Sequence, residues 1–159
     1  METPFSPYRS LPKAERYKTI LPMIESLIAD DDDEVSVLAN VSAALKEACD
    51  FFWVGFYMVK QGELHLAPFQ GPVACNRIRK GRGVCGTSWQ EKRTLVVEDV
   101  EKFPGHIACS SLSRSEIVVP LIRQDEVIGV LDIDSTELAT FDEVDKQYLE
   151  QLASILVGR

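Results

Sequence analysis

Residues 116–134 read EIVVPLIRQDEVIGVLDID, two apolar and β-branched runs split by the polar pair Gln124-Asp125. Short polar breaks between such runs signal a hairpin, so strands are predicted over Glu116 to Arg123 and Glu126 to Asp134. The same signature occurs upstream, where Phe51 to Val59 and Glu63 to Phe69 flank Gln61-Gly62. A shorter run, Thr94 to Glu98, reads as one more strand. Helical spacing brackets these strands. Positions 17, 20, 21, 24, 27 and 28 mark a helix over Lys13 to Ala29, with Pro22 as its kink or restart. A second helix spans about Glu34 to Cys49, and the acidic run 30–34 favours its positive N-terminal end. Thr140-Phe141-Asp142-Glu143 has a capping-box pattern and opens an amphipathic helix that runs to the end. Two hairpins with helices before and after them define an α+β fold, a mostly antiparallel sheet flanked by helices.

The chain has 159 residues, the length of one ordinary domain. It divides into an extended N-terminal arm over residues 1–12, which carries three prolines, and a single domain over residues 13–159. A net charge of -8 argues against nucleic acid, whose affinity comes mainly from basic side chains that displace counterions. It argues equally against a polybasic membrane contact. The N-terminus lacks the basic and apolar regions of a secretory signal, and the longest apolar run, Phe51 to Val59, is too short to cross a bilayer. A cytoplasmic location is therefore expected, with thiols kept reduced. Cys49, Cys75, Cys85 and Cys109 are then core residues, metal ligands or reactive thiols before they are structural disulfides.

Strand alternation puts Trp53, Gly55 and Tyr57 on one face and Phe52, Val54, Phe56 and Met58 on the other. Two rings beside a glycine are either close core packing or the walls of a small pocket for an apolar or sulfur-bearing group. In the last strand Ile128, Val130, Asp132 and Asp134 share a face, and Glu116 opens the partner strand. The plain alternative is that the strand ends there and the acids reach solvent. Convergence of all three would instead suit a ligand ammonium group, and one acid, its pKa raised by burial and like charge, would serve as a general acid.

Gly81-Arg82-Gly83-Val84-Cys85-Gly86 matches G-x-G-x-x-G in letters only, because Asn76 to Lys80 is no buried strand and no parallel βαβ unit surrounds it. What survives is a set of backbone N–H groups ahead of a short helix near Cys85 to Lys92, able to meet an anion such as a carboxylate. Cys75, Cys85, Cys109 and His106 make a conceivable zinc set, but cysteine separations of 10 and 24 lack the short knuckles of structural zinc. Lone His65 and His106 read as surface or packing residues, and Cys49 reads as core. The other three cysteines lie in polar, glycine- and serine-rich stretches near Arg77, Arg79, Lys80, Arg82 and Arg114. Such thiols point to sulfenate and disulfide chemistry.

Cys75-x₉-Cys85-x₂₃-Cys109, the stretches Gly71 to Cys75 and Gly81 to Trp89, and Leu131-Asp132-Ile133-Asp134-Ser135 resemble the free methionine-(R)-sulfoxide reductases. These are small single-domain enzymes of the GAF fold, and the likeness runs from the first helix onward. It implies reduction of free methionine (R)-sulfoxide, with no cofactor and with thioredoxin as the recycling partner. By this resemblance Cys109 is the nucleophile, Cys75 the resolving thiol that bridges to it, and Cys85 an auxiliary or alternative resolving thiol. Trp53 and Tyr57 wall the substrate methyl group, while Glu116, Asp132 and Asp134 bind the ammonium and the sulfoxide, one of them donating a proton. The family tends to form dimers, so a homodimer is open, although no interface is legible. The competing reading is a GAF small-molecule or redox sensor that binds without turnover.

Overall fold

The computed structural model describes residues 4–107 and 109–159. Residues 1–3 of the expected arm, and Ala108 beside Cys109, lie outside the described residues. The remainder of that arm is not extended throughout, since Ser6–Ser10 is a 3-10 helix and Phe5 is buried. Pro7 there falls in the first turn, where a missing N–H leaves no bond unmade.

Helices α1 (Lys13–Ile28) and α2 (Glu34–Cys49) come first. Pro22 neither ends nor restarts α1. It is exposed, so the carbonyl one turn back that loses its N–H partner faces water. Asp33 caps α2 by accepting a hydrogen bond from the Ser36 N–H at 2.9 Å, and it is this acid of the run that does so directly. The strands are β1 (Trp53–Lys60), β2 (Glu63–Gln70), β3 (Arg77–Arg79), β4 (Leu95–Val97), β5 (Ser115–Arg123) and β6 (Glu126–Ser135). Helix α3 (Gly83–Glu91) lies between β3 and β4, and α4 (Glu143–Val157) follows β6. The sheet order is β3-β2-β1-β6-β5-β4, and every neighbouring pair is antiparallel.

Strand β3 escapes sequence reading because it is three residues long and lies at the sheet edge. Arg77 and Arg79 are exposed and only Ile78 is buried. The last helix begins two residues later than its sequence pattern suggests. Its N-cap is Asp142, and Asp145 rather than Glu143 closes the capping box.

Side-chain alternation divides the interior in two. Val54, Phe56, Ile117, Val119, Leu131 and Ile133 face α1, α2 and α4 in the larger core. Trp53, Tyr57, Val118 and Val130 face the other way, toward α3 and the irregular segments. Ile128 departs from its expected face. Leu121 pairs with Gly129 and Ile122 with Val127, so Ile128 is an extra residue that the bulge turns toward the helices. Phe52 also departs, because it precedes β1 and is not bound by the strand's alternation; it packs on the Trp53 side.

One buried polar cluster ties the helical layer together. The Tyr17 hydroxyl donates to Asp145 at 2.6 Å, Lys13 Nζ donates to the other oxygen at 2.6 Å, and the Tyr17 ring stacks on Tyr148 at 5.4 Å. Asp145→Ala would strand the buried Tyr17 hydroxyl, leave Lys13 only the Thr140 carbonyl and Asp142, and open the capping box. Urea unfolding should show a loss of about 3 kcal/mol. Tyr17→Phe keeps the ring stack and should lose about 1.5 kcal/mol.

Candidate active site

The central strands set three acids against one face. In the sheet register Asp132 lies opposite Gly55 and Val118, while Asp134 lies opposite Trp53 and Glu116. Glu116 and Asp134 are therefore direct cross-strand neighbours, and Asp132 is two residues along the same face. Glu116 and Asp132 are 6% and 5% exposed, and Asp134 is half-buried at the cavity wall. Solvent does not satisfy Glu116 or Asp132. Burial pushes Glu116 and Asp134 well above the usual carboxylate range, and the charge on Asp132 pushes both further. Burial also raises Asp132, against the hydrogen-bonding pull of Glu116 and Cys85. Carboxylates cannot hydrogen-bond one another without a proton between them, so the cluster keeps acid protons above the pH at which exposed acids lose them.

The acids line a cavity shared with Trp53, Tyr57, Cys85, His106 and Cys109. Trp53 and Tyr57 stack at 6.0 Å between centroids, and Phe69 of β2 stacks on Trp53 at 5.1 Å. The space beside Gly55 is therefore not the pocket. A Cβ at Gly55 would run into the Cβ of Phe69 and sit 3.0 Å from the Trp53 ring. Close packing explains the glycine, and the cavity lies beyond the rings. Gly55→Ala should cost roughly 1–3 kcal/mol by displacing Phe69 and Trp53, read as a lower Tm with altered Trp fluorescence.

Both rings have a second task. Trp53 Nε1 donates to the Pro72 carbonyl at 3.0 Å, and the Tyr57 hydroxyl donates to the Cys75 carbonyl at 2.9 Å. They thereby fix the segment between β2 and β3. Cys75 is disulfide-bonded to Cys109, with Cα atoms 5.4 Å apart, so the glycine-rich and serine-rich segments meet at the cavity edge.

The remaining cysteines differ in kind. Cys85 is in the first turn of α3, 4% exposed, and points at acids rather than at the basic residues near it in sequence. Burial, then the charges of Asp132, Glu116 and Asp134, raise its thiol well above the usual value. Cys49 is half-buried against the helix-side core, its thiol pushed up to about 11 by burial. The start of α3 also faces the cavity through Gly83, Val84 and Cys85, whose N–H groups have no intrahelical partner. Gly81 and Gly83 adopt φ of +82° and +61°, which brings the chain into that turn.

Every site residue singled out in the sequence lies at this cavity or, for Cys75, is bonded to a residue that does. Also lining it are Phe52 and Ile107, which no sequence pattern marks for the site, Arg82, read in the sequence only as a basic residue near the thiols, and His106, read there as a surface or packing residue. His106 carried no signal as a lone histidine in a loop. Its ring is partly buried, which lowers its pKa, and its Nδ1 has no hydrogen-bond partner among the described residues.

A six-stranded antiparallel sheet with helices on one face and a loop-covered cavity on the other is the architecture of a GAF domain, and the GAF domain family matches residues 31–157. The chain is 62% identical over 145 residues to GAF domain-containing protein A of Dictyostelium discoideum, covering 91% of this chain and 92% of that one. It is 46% identical over 145 residues to the free methionine-R-sulfoxide reductase of Escherichia coli, covering 91% and 88%. The crystal structure of free methionine-R-sulfoxide reductase from Neisseria meningitidis in complex with its substrate superposes with a TM-score of 0.95. Identity there is 56%, over 99% of this chain and 95% of that one. The chain belongs to the free methionine-R-sulfoxide reductase family.

Proposed function

We propose that this protein reduces free L-methionine (R)-S-oxide to L-methionine with its own thiols, and that thioredoxin recycles it in the cytoplasm. The observation that carries this reading is the Cys75–Cys109 bridge at the edge of a cavity lined by two rings and three buried acids. The Cys109 thiolate attacks the sulfoxide sulfur while an acid of the Glu116, Asp132, Asp134 cluster protonates the oxygen. The oxygen passes from the substrate sulfur to Cys109 as the bond between the two sulfurs breaks, so methionine leaves and the sulfur of Cys109 is left as a sulfenic acid. The Cys75 thiol attacks that sulfur, water departs, and the disulfide forms. An external dithiol then takes the oxidation as its own disulfide. Cys85 is a poor nucleophile here, because burial among acids keeps it protonated.

Selectivity for the free amino acid follows from the same cavity. Glu116, Asp132 and Asp134 meet the ammonium and the sulfoxide, Trp53 and Tyr57 pack the methyl group, and the start of α3 receives the carboxylate. A peptide-bound residue has neither terminal charge and would leave buried acids unpaired. The test mixes reduced protein with free (R)- and (S)-methionine sulfoxide and a peptide sulfoxide, and counts thiols and methionine. Loss of two thiols per methionine with the free (R) form alone is the expected result. Binding without thiol loss would make the domain a sensor.

A further inference from the structure

Two cavity groups are left over by this thiol chemistry, the Cys85 sulfur and His106 Nδ1, and they share the cavity with Asp132, one of the acids proposed to meet the substrate. The Cys85 Sγ and one carboxylate oxygen each of Glu116 and Asp132 lie within 4.8 Å of one another. All three residues are buried, at 4%, 6% and 5% exposed. Asp132 Oδ1 is buried with no hydrogen-bond partner among the described residues, and so is His106 Nδ1 at the same cavity.

We infer that the corner formed by Cys85, Glu116 and Asp132 binds one divalent cation of the zinc class, and that the bound ion excludes substrate. Ligand atoms of a tetrahedral zinc site stand about 3.3–3.8 Å apart, so these three close around an ion with small side-chain shifts. One sulfur with an imidazole nearby selects a borderline-soft metal over magnesium or calcium, which take oxygen alone. The donors come from the first turn of α3 and from paired strands β5 and β6, so the site is held before the ion arrives. Two acids and a thiolate without a basic partner among them supply the compensating charge. The spacing that argued against a structural zinc knuckle does not bear on this set, because tertiary pairing rather than local sequence assembles it.

The test uses the oxidised protein, in which Cys75 and Cys109 are bridged and only Cys49 and Cys85 remain free. Titration with Co2+ should show one equivalent bound, with a sulfur-to-cobalt charge-transfer band that Zn2+ abolishes. Cys85→Ser should lose the band and weaken Co2+ at least tenfold, Asp132→Asn should weaken it similarly, and Cys49→Ser should change neither. Absence of the band, or its survival in Cys85→Ser with the fold intact by circular dichroism, overturns the inference. Saturating methionine should weaken Co2+ binding at least tenfold, an arm that rests on the function proposed above. Cobalt affinity indifferent to methionine, with the Cys85 dependence intact, overturns the exclusion and faults the substrate placement rather than the ligand set.

Discussion

Cys109→Ser should release no methionine even in a single turnover, whereas Cys75→Ser should release about one methionine per chain and then stall. The first variant lacks the sulfur that accepts the oxygen. Its rate should fall on the order of 10⁴-fold or more, since a serine hydroxyl is scarcely ionised at neutral pH. The second retains attack and proton delivery but has no thiol placed to close on the sulfenic acid. Rapid quench at limiting reductant separates the two, with mass spectrometry reading one added oxygen on Cys109 in the Cys75 variant. Cys85 is no substitute, because its sulfur is buried at the acid corner and held in its neutral form. If Cys109→Ser gives the single burst and Cys75→Ser gives none, the two roles are reversed.

Much of this site could be read before any coordinates. Strand alternation placed Trp53 and Tyr57 on one face and Asp132 and Asp134 on one face, and pairing of the central strands makes those faces one cavity wall. What failed did so where the backbone stops being periodic. Ile128 is displaced by a bulge, and Phe52 lies one residue before its strand begins. The gap beside Gly55 was invisible as a filled space because its occupant, Phe69, belongs to another strand. His106 and the depth of Cys85 depend on how loops and α3 settle onto the sheet, and no local pattern encodes that.

Glu116→Gln should make the protein more stable above neutral pH and slower at the same time. Burial and mutual repulsion raise the Glu116 and Asp134 carboxyls, so the folded state holds protons that the unfolded chain has released. Stability from this cluster is therefore full below the ordinary carboxylate range and declines as pH climbs toward the raised values. Removing one acid relieves the repulsion. Tm at pH 8 should rise by on the order of 5 °C over the parent, and the two proteins should converge near pH 4. Catalysis moves the opposite way. Loss of an acid that protonates the sulfoxide, by Glu116→Gln or Asp134→Asn, should lower kcat on the order of 10²-fold, more than Trp53→Ala does. The parent's kcat should also decline on the alkaline side as the cluster gives up its proton. Thermal unfolding across pH and a kcat profile for each variant check both halves. Equal melting curves at pH 8, or variants altered in KM alone, would contradict them.

The indole of Trp53 and the phenol of Tyr57 each grip a carbonyl in the segment that carries Cys75 while their ring faces line the cavity. Redesign of the pocket for a bulkier thioether therefore meets a constraint that its shape alone does not announce. Trimming either ring widens the chamber and unfastens the strap that presents the second sulfur, so breadth of substrate and speed of recovery cannot be engineered independently at these two positions.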